Sequence, residues 1–164
     1  MKIINMHKRS IQQSKLRIGE LLRTLSSKND LMLATDKWSP MILDKGLAIG
    51  SKGGHGPMKY VIEKYEPDEF IQFTFTGPQG FRGFHTFEIT ALDDNVSELK
   101  HTIEMTTTGL AATLQWLIAI RWLHDAYIED AFDKVESHFT TERKKRNWSI
   151  WVKLLRKAFK PKPN

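Results

Sequence analysis

The stretch LAATLQWLIAIRWLHDAYIEDAFDKVESHF, residues 110–139, decides the fold. It contains neither Gly nor Pro, follows the helix-compatible start Thr107-Thr108-Gly109, and makes a helix about 45 Å long at the usual rise per residue. At 100° per residue, Trp116, Ile120, Leu123, Tyr127 and Ala131 share one face, with Asp125, Glu129, Asp133 and Glu136 opposite. The acidic face is therefore expected to meet solvent. A single amphipathic helix of this length needs a broad apolar surface beneath it, and the residues before it supply one.

From Met41 the hydrophobic period switches to two. Strands are predicted over 41–49, 58–65, 69–76, 81–92 and 97–107, joined by turns rich in Gly, Pro, Asn and Asp. Every connection is short enough for a hairpin, which makes an antiparallel meander. Upstream, residues 2–11 form a first, edge strand. Ser14 caps a short helix through Ile18, Leu21, Leu22 and Leu25, and Asp30 caps a second over Leu31 to Leu33, ended by Trp38-Ser39-Pro40.

Alternation assigns the faces. Phe73 and Phe75 point inward with Ile71; His85 and Phe87 point inward on the next strand; His101, Ile103 and Met105 do so on the last. Glu88, Thr90, Lys100, Thr102 and Glu104 take the outer face. On the helix, His124 flanks the buried stripe near Ile120 and Tyr127. Three imidazoles and a phenol thus converge on one interior space, with Trp38, Trp116 and the aromatic strand residues as lining. Polar groups in an apolar wall must be paired, by neighbours or by a ligand.

The alternative for each histidine is a hydrogen-bonded core residue. His85, His101 and His124 are the candidates for acid–base chemistry. No carboxylate is placed to orient them, since Glu88 and Glu104 face out and Asp125 and Glu129 lie on the acidic face. No nucleophile elbow and no metal-ligand spacing appear. Binding therefore ranks above catalysis, and neither a metal nor a cofactor is expected.

Composition sets the remaining bounds. The chain has 164 residues, one domain's worth, with 40% hydrophobic and 27% charged residues, ordinary for a soluble protein. It has no Cys, which excludes disulfides and thiolate sites. The opening MKIINMHKRS lacks a signal-peptide core, so a cytoplasmic location is expected. Net charge is +6, but residues 140–164 carry nine Lys/Arg against Glu142 alone, and residues 1–139 carry 16 basic against 18 acidic groups. The basicity belongs to the tail, so it does not mark the domain as a nucleic-acid binder.

Within that tail, Trp148, Trp151, Val152, Leu155 and Phe159 make an apolar stripe beside Lys153, Arg156, Lys157 and Lys160. Such a helix fits an anionic membrane surface, with the protein peripheral to it. It fits docking on its own domain, or on a partner copy in a homodimer, equally well.

One strand, two short helices, an antiparallel run and a long C-terminal helix resembles the helix-grip order of the START-like, or SRPBCC, superfamily. Gly53-Gly54-His55-Gly56-Pro57-Met58-Lys59 resembles the glycine-rich GGxGxxK loop of its pollen-allergen branch. GHGPMKYVIEKYEP (54–67), GFHTFEI (83–89), LKHTIEM (99–105) and IRWLHDAYIEDAFDK (120–134) look like an uncharacterised bacterial group of the superfamily. The resemblance covers residues 1–139 and leaves the tail as an extension. It implies an α+β fold, a curved antiparallel sheet wrapped round the long helix, and a cavity for a small hydrophobic or amphipathic ligand. It also implies that His55 and Lys59 lie at the cavity rim. The alternative activity it implies is that of a polyketide cyclase or dehydratase using a cavity histidine.

Overall fold

The computed structural model describes residues 1–140 and 146–159. Seven strands form one antiparallel sheet: β1 (Lys2–Ile11), β2 (Ile42–Leu43), β3 (Lys52–His55), β4 (Met58–Glu66), β5 (Phe70–Gly77), β6 (Phe81–Asp93) and β7 (Val96–Thr107). Their order, β1-β7-β6-β5-β4-β3-β2, is a meander with β1 returned to the edge beside β7. Helix α1 (Lys15–Leu22) follows β1. The long helix runs unbroken from Leu110 to His138 as α2 (Leu110–Gln115), a π-helical turn (Trp116–Ile120) and α3 (Arg121–His138). Helix α4 (Ile150–Ala158) packs against α3.

Three local expectations change. Residues 41–49 keep only β2 as strand, and the glycine-rich segment contributes β3 as well as a turn. Glycine is needed there for close backbone approach: a Cβ on Gly53 would lie 1.9 Å from the Ile42 carbonyl oxygen, and one on Gly54 1.9 Å from that of Met58. In place of a full second short helix, Asp30 Oδ1 accepts from the Met32 and Leu33 amides, and one turn follows in which Ala34 accepts from Lys37 and Trp38. Too few residues separate Asp30 from Pro40 for a longer element to form.

The acidic helix face is the larger correction. Asp125, Glu129, Asp133 and Glu136 do not face open solvent, because β1 crosses that side of the helix. Arg9 donates to Asp133 (3.0 Å), Glu136 (2.8 Å) and Glu129 (2.9 Å), and Arg146 pairs with Asp133 (2.9 Å). Thr102, on the outer face, is nevertheless buried, as is its cross-strand partner Thr86.

Inside, the core is divided. A large cluster built on Ile18, Leu22, Ile62, Phe73, Ile89 and Phe132 fills the end near the C-terminus of α3. A smaller one, with Phe75, Phe81, Ile103, Met105 and Trp116, fills the end near α2. Between them the chain places imidazoles at one level. His85 separates Phe81 from Phe87, His101 separates Leu99 from Ile103, and His124 separates Trp116 from Ile128. The hollow opens at that level.

Candidate functional site

A cavity of about 320 Å³ lies between sheet and long helix. Phe75, His85, Phe87, His101, Ile103 and Met105 line it from the sheet. Trp116, Ile120, Leu123, His124, Tyr127 and Ile128 line it from the helix, and Trp38, Met41, His55, Pro57 and Met58 from the loops and β3–β4 turn. The volume is at the low end for small-molecule sites.

The imidazoles meet as the strand parity requires. His85 Nδ1 lies 3.3 Å from His101 Nε2, and the His101 and His124 rings are 5.0 Å apart. His55 turns inward, stacked on Tyr127 at 4.9 Å with its Nδ1 3.0 Å from the Tyr60 hydroxyl. Several polar atoms remain buried without a partner: His85 Nε2, His101 Nδ1, His124 Nε2 and the Tyr127 hydroxyl. Burial lowers the pKa of all four imidazoles, His55 to about 4, and their mutual repulsion adds to the effect for His55, His85 and His101. At neutral pH the cavity wall is thus uncharged at these positions. Burial likewise raises Tyr127 and Tyr60, which stay protonated.

Two expected contacts are not made. Phe73 is fully buried but lies behind the wall, stacked on the His85 ring at 4.7 Å, because β5 carries it into the solid half of the core. Lys59 is exposed and does not line the cavity, since its neighbour Met58 takes the inward side of β4.

In the tail, the side chains divide between two sides. Trp148, Leu155 and Arg156 face the domain itself and not an outside surface. Trp148 and Trp38 each donate an indole N–H to Asp130 Oδ2 at 2.8 Å, and Lys37 reaches Asp130 Oδ1 at 3.1 Å. Arg156 and Phe159 line the cavity mouth. Lys153 and Lys157 are exposed, with Trp151 on the outer side of α4; Lys160 lies outside the described residues. The partner is Asp130, a helix carboxylate one residue from Ala131 on the buried stripe. Its position on that side of the wheel was the signal that sequence reading passed over.

His7 was also missed. From β1 it bonds Glu129 (2.8 Å) and Asp125 (3.1 Å), and Asn5 donates to Asp125 at 2.9 Å. Burial lowers the His7 pKa, but the two carboxylates outweigh it and the net shift is upward. Asp125 stands 3.6 Å from His124, so a carboxylate does sit behind one cavity imidazole. Burial would raise it, yet His124, His7 and Asn5 together hold it well below the usual carboxylate range. His7, His124 and Asp125 also make the one candidate metal-ligand group among the described residues, with ligand atoms within 4.8 Å of one another. Both His7 nitrogens are already bonded to carboxylates, which accounts for the cluster as an ion-pair network.

No protein-family model matches the sequence, and no curated protein is similar to it. Solved structures are similar in fold. Norcoclaurine synthase from Thalictrum flavum, in complex with dopamine and hydroxybenzaldehyde, superposes with a TM-score of 0.64 at 10% identity, over 88% of this chain and 90% of that one. A START superfamily protein from Mycobacterium smegmatis gives 0.53 at 9% identity, over 84% and 99%. A Thermobifida fusca protein solved by NMR gives 0.60 at 12%, over 83% and 92%. At these identities the likeness is one of fold alone.

Proposed function

We propose, from the START-like helix-grip fold of this chain, that it binds a small hydrophobic or amphipathic ligand between the sheet and the long helix. The observation that carries this reading is the cavity of about 320 Å³, apolar in its walls and lined by His85, His101, His124 and Tyr127, each of which keeps a buried polar atom without a partner. A buried polar atom left unpaired costs about 1–3 kcal/mol, which a bound ligand can offset by pairing with it. Apolar walls supply affinity; the unpaired atoms supply orientation.

The reading is tested by filling the space. Met105→Trp adds volume where Met105 lines the cavity and is expected to weaken binding of the small fluorescent dye 1-naphthol at least about tenfold, at a stability cost of about 1–3 kcal/mol. Native mass spectrometry of freshly purified protein should show an adduct that this variant lacks. Unchanged dye affinity would place binding elsewhere. Cyclase or dehydratase chemistry through an imidazole is the alternative, with another imidazole or the Tyr127 hydroxyl as the second acid–base group. No carboxylate lines the cavity among the described residues, and Asp125 is engaged by Asn5 and His7. Binding is the better-supported role.

A second reading, a peripheral membrane contact, draws on a separate observation. Ile150, Trp151, Leu154 and Phe159 of the tail are exposed beside Lys153 and Lys157. Trp151 donates to the Ile118 carbonyl at 2.9 Å, which joins this face to exposed Leu114, Leu117, Ile118 and Trp122. No helix among the described residues is long and apolar enough to cross a membrane. Flotation with vesicles containing anionic lipid should lift the native protein and leave a Trp151→Ser, Leu154→Ser double variant behind. Equal flotation of the two removes this reading.

A further inference from the structure

The cavity wall holds one group whose chemistry differs from the rest. Arg156, in the last turn of α4, lines the cavity together with the imidazoles. Its guanidinium lies in the corner made by two indoles packed edge to face, 4.2 Å from the Trp38 ring centroid and 3.8 Å from that of Trp148. Both indoles are fixed in turn, since each donates its N–H to Asp130. One terminal nitrogen of Arg156 donates to the Lys37 carbonyl. The other is buried and has no acceptor among the described residues.

A guanidinium presents five N–H donors in a rigid fork matched to a carboxylate, and contact with two indole rings restricts where that fork can lie. The nearest carboxylate cannot complete the pairing: both oxygens of Asp130 are taken, by Lys37 on one side and by the two indoles on the other. Lys37, the other basic residue in the cavity wall, is likewise committed to Asp130. The imidazoles are neutral. Arg156 is therefore a lining cation that keeps a buried donor with no acceptor among the described residues.

We propose that Arg156 is an anion-recognising residue and that the cavity takes a small amphipathic acid. Its apolar body lies against Phe75, Ile103, Met105 and Trp116, and its carboxylate sits on the guanidinium fork. This rests on the ligand-binding reading above and narrows it to a chemical class. At about 30 Å³ per water-sized group, a volume of about 320 Å³ holds on the order of ten non-hydrogen atoms. Octanoate has the right size. A consequence is that α4 belongs to the binding unit and supplies its one charged contact.

The test is a calorimetric titration of the full chain with octanoate, octanol and acetate. Native protein should bind octanoate about ten- to a hundredfold tighter than octanol, the range for a charge-assisted hydrogen bond in a desolvated site. Acetate, an anion without an apolar body, should show no measurable binding. Arg156→Gln should leave octanol affinity within about twofold and bring octanoate down to the same level. If Arg156→Gln loses octanol as well, the octanoate-to-octanol ratio of Arg156→Lys decides: a fall of about tenfold supports the fork, an unchanged ratio overturns it. Equal affinities for acid and alcohol in native protein, or a preference that survives Arg156→Gln, overturn the inference while the cavity reading stands. Binding of neither compound removes both.

Discussion

Acid unfolding of this protein is expected at about pH 5, above the range in which carboxylate protonation alone unfolds a domain of marginal stability. The cause is the imidazole belt. His55, His85, His101 and His124 all have folded pKa values below the ordinary 6.5 because burial disfavours their charged forms. Between 6.5 and those lower values the unfolded chain takes up protons that the folded chain refuses. Each such group then removes about 1.4 kcal/mol per pH unit as the pH falls. His55, lowered to about 4, alone removes about 3 kcal/mol by that pH.

His7 has the opposite sign. Its folded pKa is raised, so its contribution is fully present below 6.5 and is lost as the pH rises through the folded value. It therefore adds no slope on the acid side and cannot compensate there. Melting temperature recorded from pH 7.5 down to 4.5 checks the prediction. His101→Gln should flatten the acid limb by about 1.4 kcal/mol per pH unit. A melting temperature that stays level between pH 7 and 5 would mean that the folded belt accepts protons, and that the cavity is not the dry apolar space its lining describes.

Replacement of Asp130 by Ala is the second large effect, a loss of roughly 3–5 kcal/mol. The Asp130 side chain is fully buried, and three donors converge on it: Lys37 and the indoles of Trp38 and Trp148. Removing the carboxylate strands two indole N–H groups and an ammonium, and it unfastens α4 from α3. A drop of about 10 °C in melting temperature is expected, with a red shift in tryptophan emission as Trp148 meets water. Asp130→Asn keeps an acceptor in the same volume and should cost about 1–2 kcal/mol. A loss below about 1 kcal/mol in the Ala variant would show that the tail is held by apolar contacts of Val152 and Leu155 instead.

Strand parity, helix length and the hairpin-sized connections were enough to place His85, His101 and His124 in one space, because each depends only on local periodicity. The same logic put Phe73 in the wall, and the family resemblance put Lys59 at the rim. There a decision between neighbouring positions depends on which part of the core each strand crosses. The acidic helix face was misread for a related reason. A helical wheel separates polar from apolar residues, but it does not say what covers the polar side. That depends on β1 returning to the edge beside β7, so that His7 and Arg9 reach the helix from residues more than a hundred positions away.

Two repeating periods, two and 3.6, were enough to read an antiparallel run of strands against one long helix and the convergence of imidazoles; the helix-grip architecture came from the resemblance carried by the order of those elements. What Trp148 touches could be read from the tertiary structure alone. An amphipathic stripe of Trp148, Val152, Leu155 and Phe159 is equally good for a membrane or for a protein surface. Trp148 is drawn inward by Asp130, whose buried carboxylate needs donors that Trp38 and Trp148 provide from segments far apart in sequence. Hydrogen bonds between such segments leave no trace in local periodicity, because their energy depends on distance in space and not on spacing in the chain.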